Sequence, residues 1–195
     1  MSVSLNAPEL AQQLQQGSAV IFPTDTLPAL ASRPEHAACL WNIKQRPQHK
    51  PVILMGDDPR ALFRCLGHPI QPEWQAMAER HWPGALTLVL PAQGSLIDQL
   101  NPGGDCLGLR IPACAEALEL LQLTGPLATT SANRSGEPPC LNAPAAARQF
   151  PAIPRLGPKP WPIAGGTAST VLRWEPSGQW QVLRAGAVMP DGIAE

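Results

Sequence analysis

The chain has 195 residues, 44% of them hydrophobic and 15% charged, with a formal net charge of −1. That length suits one domain with a sizeable core, and that apolar content excludes a disordered chain. The near-balance of 14 basic and 15 acidic side chains excludes a protein that coats nucleic acid by bulk charge, but 11 of the basic residues are arginine, the better planar anion ligand.

In chain order, Asn6 can cap a helix that Pro8 tolerates in its first turn and Gly17 ends, with Leu10 and Leu14 on one face. A short apolar run over 18–22 predicts a strand, stopped by Pro23, that feeds the loop 23–28. A second helix is expected over 34–44, because Pro47 bars its continuation. Residues 52–55 read as a buried strand, Asp57-Asp-Pro opens a helix, and a further helix over 73–81 ends before Pro83-Gly84. Strands follow at 85–90 and 106–111, a helix at 113–123, a strand at 127–130 and a short helix at 143–150 capped by Asn142. The runs 170–174 and 180–184 flank Glu175-Pro-Ser-Gly178 and read as a hairpin. Helices and strands alternate while the last strands pair locally, which predicts one α/β domain over 1–195 with a mixed sheet and no internal repeat.

Cys39, Cys65, Cys106, Cys114 and Cys140 form no Cys-x-x-Cys pair, and His36, His49, His68 and His81 form no zinc motif, so no metal ligands are assigned. Five widely spaced cysteines read as reduced thiols, and the N-terminus lacks a signal-peptide pattern; a cytoplasmic protein with no membrane segment is expected.

Three polar loops stand out. Lys44-Gln-Arg46-Pro47 either supplies cations to a helix C-terminus or serves an anion site; in the second case the helix must stop there, since residues two apart do not share a helix face. Thr129-Thr-Ser131-Ala-Asn133-Arg-Ser135-Gly136 directly follows a strand, where free backbone N–H groups and hydroxyls can cradle a phosphate or carboxylate, or cap the next element. Gly165-Gly-Thr-Ala-Ser169-Thr170 is hydroxyl-rich but lacks the P-loop arrangement. Arg110 and Arg184 end strands, where each can point into a cleft or solvate an edge, and Thr24-Asp25-Thr26 follows the first strand, where Asp25 reads as a turn-stabilising aspartate ahead of a metal or water ligand.

Seven segments in order resemble the YrdC-like family of threonylcarbamoyl-AMP synthases: Pro23-Thr-Asp-Thr26, Lys44-Gln-Arg46-Pro, Trp82-Pro-Gly-Ala-Leu-Thr87, Leu109-Arg-Ile-Pro112, Ser131-Ala-Asn-Arg-Ser-Gly136, Ser169-Thr-Val171 and Leu183-Arg-Ala-Gly186. The resemblance implies a twisted mixed β-sheet with surrounding helices and a concave active cleft. It implies catalytic roles for Lys44, Arg46, Ser131 and Asn133, and places Thr26, Arg110, Thr129 and Ser169 near threonine. By the same matching, Arg46, Lys50, Ser131 and Arg184 lie near ATP.

The implied substrates are L-threonine, bicarbonate and ATP, with Mg²⁺ carried mainly on the ATP phosphates. On this reading Lys44 and Arg46 neutralise charge on the phosphates from a wet cleft, Ser131 and Asn133 orient carbamate and α-phosphate oxygens, and Arg110 pairs with the amino-acid carboxylate. tRNA and a downstream threonylcarbamoyl transferase complex are the implied partners. Some positions depart from the family pattern: Leu27, Pro28 and Ala29 replace an aliphatic–aromatic–Gly run, Met55 replaces a His found in some members, and Leu172-Arg173 replaces Val-Asp. The competing expectations are a non-catalytic or paralogous RNA-binding protein on the same fold and a different small-molecule enzyme on that scaffold.

Overall fold

The computed structural model describes residues 3–193. Strand β1 (Ser4–Leu5) leads into α1 (Ala7–Gln15), whose start is set by a reciprocal cap: the Asn6 side chain accepts from the Glu9 amide, and the Glu9 carboxylate accepts from the Asn6 amide. Strands β2 (Val20–Phe22) and β3 (Ala29–Ser32) then pair antiparallel around the 23–28 loop.

The expected second helix is divided. Residues Pro34–His36 form a 3-10 turn, and only Ala38–Lys44 is α-helical (α2), because Gln45 adopts the left-handed conformation at φ 53. The helix therefore stops between Lys44 and Arg46, two residues before the proline that sequence reasoning held responsible. Strand β4 (Ile53–Met55) precedes α3 (Pro59–Arg64), which Asp58 caps by accepting from the amides of Arg60 and Ala61.

Helix α4 (Pro72–His81) leads to β5 (Leu86–Pro91), α5 (Ser95–Leu100), β6 (Cys106–Arg110), α6 (Ala115–Thr124) and β7 (Leu127–Ser131). Helix α7 (Ala143–Gln149) starts at Asn142, which accepts from the Ala145 amide. After β8 (Arg155–Leu156) the hairpin of β9 (Thr170–Trp174) and β10 (Trp180–Arg184) forms where expected, with Trp180 opposite Trp174. Elements β1, β3, α5 and β8 are additions to the sequence expectation: two are two-residue strands, too short for any periodicity to reveal them.

The ten strands form one mixed sheet in the order β1-β8-β2-β3-β7-β4-β6-β5-β9-β10. Alternation along the strands sorts its two faces. Leu54, Leu86, Leu88, Leu90, Leu107, Leu109, Leu172 and Trp174 point into the larger core, shared with Leu40 and Trp41 of α2, Leu62 and Phe63 of α3 and Trp74 and Met77 of α4. On the opposite face Val20, Phe22, Ala29 and Ala31 pack against Leu10 and Leu14 of α1 and Leu120 and Leu121 of α6. Those two helices cover only one end of that face. Its remainder, over β7, β4, β6, β5 and β9, presents Thr129, Ile53, Gly108, Thr87 and Val171 to a cavity. All five cysteines are free thiols, and among the described residues no helix is long and apolar enough to cross a membrane.

Candidate active site

The cavity holds about 550 Å³, within the range of pockets that enclose a small ligand. Its floor is the bare sheet face just described. Gly108 keeps that floor open: a Cβ there would meet Ile53 Cγ2 at 2.7 Å. The rim supplies cations. Arg46, Arg110, Arg173 and Arg184 all line the cavity, and no Asp or Glu is among the described residues that do. Arg173 is paired with Asp105 (3.6 Å) and Glu175 (3.4 Å) and Arg110 with Asp25 (2.6 Å), so the positive charge at the cavity that lacks a carboxylate partner among the described residues is that of Arg46 and Arg184.

Arg46, Arg184 and Arg110 are each held by a different local device. The left-handed turn at Gln45 redirects the backbone after α2, so Arg46 leaves the helix and reaches the cleft, where Nη1 donates to Thr130 Oγ1 at 3.1 Å and Nη2 to Pro51 O at 2.9 Å. Its Nε is buried without a partner. A register shift between Val182 and Arg184 in β10 carries Arg184 over the end of β9, where it donates to Ser169 O through Nε (3.1 Å) and Nη2 (2.8 Å).

Arg110 is the most enclosed, 4% exposed. Nε donates to Gly84 O at 3.0 Å, Nη1 to Thr26 Oγ1 at 2.7 Å, and Nη2 to Asp25 Oδ1 at 2.6 Å. Asp25 is therefore the ion-pair partner of Arg110, which the turn reading of that residue missed; only a long-range contact across the sheet reveals it. Burial pulls the pKa of Arg46, Arg110 and Arg184 down, with Asp25 opposing the shift at Arg110, and each stays a cation.

Hydroxyls complete the lining. Thr26 Oγ1 and Thr24 Oγ1 lie 3.2 Å apart, and Thr87 Oγ1 and Ser169 Oγ lie 2.8 Å apart although the residues come from β5 and the loop before β9. Thr129 bonds weakly to Ile53 O at 3.5 Å. Met55, Leu27 and Ala29 supply an apolar stretch of wall. Thr87, Thr130, Asn101, Cys106 and Arg173 also line the cavity without having been singled out as site residues; for Thr87 and Cys106 the leucine alternation of 86–90 and 106–110 was the available signal, since it marks the intervening positions as facing away from the larger core.

Three site expectations need correction. Lys44 does not lie in a wet cleft: it is 2% exposed and is absent from the cavity lining, because its ammonium is enclosed under the 131–135 loop. Asn133 lines the cavity, but its carboxamide is spent internally, so it has no free N–H to orient a substrate oxygen: Nδ2 donates to Arg134 O (3.0 Å) and Glu137 O (2.8 Å). Lys50 is exposed and does not line the cavity; its carbonyl accepts from the Trp41 indole at 2.9 Å and its amide donates to Pro47 O at 3.1 Å. Thr26, Arg46, Arg110, Thr129, Ser131, Ser169 and Arg184 all line this one cavity.

Fold and site first define a class: an α/β protein whose bare sheet face forms a pocket lined by arginines and hydroxyls. The chain belongs to the family described as "Telomere recombination", which comprises Sua5, YciO and YrdC proteins and matches residues 12–186. A threonylcarbamoyl-AMP synthase of Halorhodospira halophila is 34% identical over 175 residues, covering 84% of this chain and 91% of that protein. Sua5 of Pyrococcus abyssi complexed with L-threonine is similar in structure, with a TM-score of 0.84 at 29% identity over 92% of this chain and 54% of that one. The chain thus spans little more than half the length of that relative. E. coli YciO shares the fold, with a TM-score of 0.80 at 18% identity over 95% of this chain and 92% of its own.

Proposed function

We propose that this chain is a nucleotidyltransferase that makes threonylcarbamoyl-AMP and pyrophosphate from L-threonine, bicarbonate and ATP, for modification of adenosine in tRNA. One observation carries the reading: three separately anchored guanidiniums, Arg46, Arg110 and Arg184, converge on a single cavity of about 550 Å³ walled by hydroxyls. The reaction assembles three anionic groups on two molecules, the triphosphate of ATP and the carboxylate and carbamate of carboxylated threonine, and its cost lies in holding them together.

Bicarbonate takes up a proton and loses water to give CO2, and threonine's amine adds to that CO2, losing a proton, to give the carbamate. A carbamate oxygen attacks the α-phosphorus of ATP, and pyrophosphate leaves with the bonding electron pair. Arg46 and Arg184 are assigned to the phosphates, where their charge offsets what accumulates on the leaving pyrophosphate. Arg110, aimed by Asp25 and Thr26, is assigned to the amino-acid carboxylate, with Thr129 and Ser169 beside it. Mg²⁺ is expected to enter on the ATP phosphates and to be held mainly by them and by water. A cytoplasmic location and tRNA as the downstream acceptor accompany this function.

The decisive experiment is pyrophosphate release with each component omitted in turn. Release that requires ATP, threonine and bicarbonate together is the expected result. Release that needs ATP but is indifferent to threonine and bicarbonate would remove this reading.

A further inference from the structure

The hydrogen bonds around Asn133 can be counted to completion, and the count constrains Ser131. Both Nδ2 protons of Asn133 are committed to carbonyl oxygens, Arg134 O at 3.0 Å and Glu137 O at 2.8 Å, which fixes the amide's orientation and makes Oδ1 an acceptor only. Oδ1 faces two groups, Lys44 Nζ at 3.0 Å and Ser131 Oγ at 2.6 Å. Between Ser131 Oγ and Asn133 Oδ1 the sole available proton belongs to the serine. Lys44 Nζ also donates to Ser131 O and to Asn133 O at 2.6 Å, so three acceptors use all three ammonium protons. The loop is tied to α2 a fourth time, Ser135 N donating to Lys44 O at 2.9 Å.

We propose that Lys44 is a positioning residue: by clamping Asn133 it commits the Ser131 hydroxyl proton away from the cleft, so that Ser131 meets the substrate as a hydrogen-bond acceptor. Its ligand on the substrate is then a hydroxyl or N–H group and not a phosphate or carboxylate oxygen, which would set lone pair against lone pair. This assigns the cleft a division of labour. Anionic oxygens go to the arginines, and Ser131 reads a neutral donor such as a nucleotide ribose hydroxyl or the carbamate N–H. The identity of that donor rests on the proposed function; the proton's position does not.

Neutron diffraction on wild-type crystals in D2O tests the core of the proposal without any variant. Nuclear density for the deuteron between Ser131 Oγ and Asn133 Oδ1 is expected, both alone and with ATP bound. A deuteron directed into the cleft overturns the assignment.

Titration of ATP into wild type, Ser131→Ala, Lys44→Met and the double variant, with melting curves on each, tests the route through Asn133. If the donor is on the nucleotide, Ser131→Ala should weaken ATP binding about threefold to tenfold, the scale of one neutral hydrogen bond. That loss should vanish against whichever of 2′-deoxy-ATP or 3′-deoxy-ATP lacks the donor. If the donor is the carbamate N–H, Ser131→Ala should instead bind ATP normally and lose kcat/KM for threonine by a similar factor. The double variant should lose no more than the worse single one. Multiplied losses would mean that Lys44 touches substrate itself. An equal Ser131→Ala loss against fully ionised inorganic triphosphate, which carries no such donor, would make Ser131 a phosphate donor and overturn the proposal. A wild type that binds ATP but shows no threonine-dependent pyrophosphate release would remove the proposed function while leaving the deuteron result standing.

Discussion

At the scale of single residues, burial decides what a substitution measures. Lys44→Ala removes three hydrogen bonds; Ser131 O keeps the Asn133 amide and Asn133 Oδ1 keeps the Ser131 hydroxyl, but Asn133 O loses its ammonium donor, so the variant should lower the melting temperature as well as the reaction rate. A cleft lysine would have given a rate loss with an unshifted melt; an unshifted melt would place Lys44 in solvent after all. The ammonium also has a pH signature. Burial first, and the charge of Arg46 second, bring its pKa from 10.5 down to about 8. Between those values the unfolded lysine holds a proton that the folded one has released. The unfolded state therefore binds more protons, and the Lys44 contribution to stability rises with pH across that window and is flat below it. Melting from pH 7 to 10.5 should show a steeper rise in wild type than in Lys44→Met; equal slopes would put the Lys44 pKa near its ordinary value.

Arg110 makes the same point. Arg110→Ala strands Asp25, whose side chain is only 16% exposed, and breaking a buried pair costs roughly 3–5 kcal/mol. Assayed well below its lowered melting point, the variant should raise the KM for threonine more than that for ATP, by about 1.5–3 kcal/mol of lost charge-assisted bonding. Equal effects on both substrates would detach Arg110 from the amino acid.

At the scale of elements, the cleft depends on strands that keep one face leucine-rich and the other spare. In β6 the sequence Cys-Leu-Gly-Leu-Arg places Leu107 and Leu109 in the larger core and Cys106, Gly108 and Arg110 on the cavity. Gly108→Ala should therefore press on Ile53 and cost about 1–3 kcal/mol by overpacking. Adding Ile53→Ala should recover part of that stability, as read by denaturant midpoints. No recovery would mean that Gly108 is needed for its backbone and not for the space beside Ile53.

At the scale of the whole molecule, charge is the informative quantity. Four arginines line one cavity, Arg110 and Arg173 of them in ion pairs, while the chain carries a net −1, so the positive potential is local to the cavity and small in total. Binding to bulk duplex RNA at physiological salt should be weak, because few counterions are released. A salt titration of RNA binding checks this: nanomolar affinity with a steep dependence on salt would favour the RNA-binding alternative over the enzyme.

Much was legible in the sequence because it is written in local chemistry. The caps at Asn6, Asp58 and Asn142, the hairpin at 175–178 and the apolar alternation of β5, β6 and β9 follow from neighbours a few residues apart, and they determine a mixed α/β sheet. The residue types of the site were legible too, since arginines and hydroxyls at strand ends suit anions. What only the tertiary structure decided is which of these groups face the ligand. Lys44 and Asn133 were expected beside the substrate and instead hold each other, across 89 positions of sequence. Asp25, read as a turn residue, aims Arg110 from 85 positions away. Such pairings are set by how β7 and α2, or β6 and the loop after β2, meet in space. Side-chain chemistry names what can bind; long-range packing decides which donors and acceptors remain free to do it.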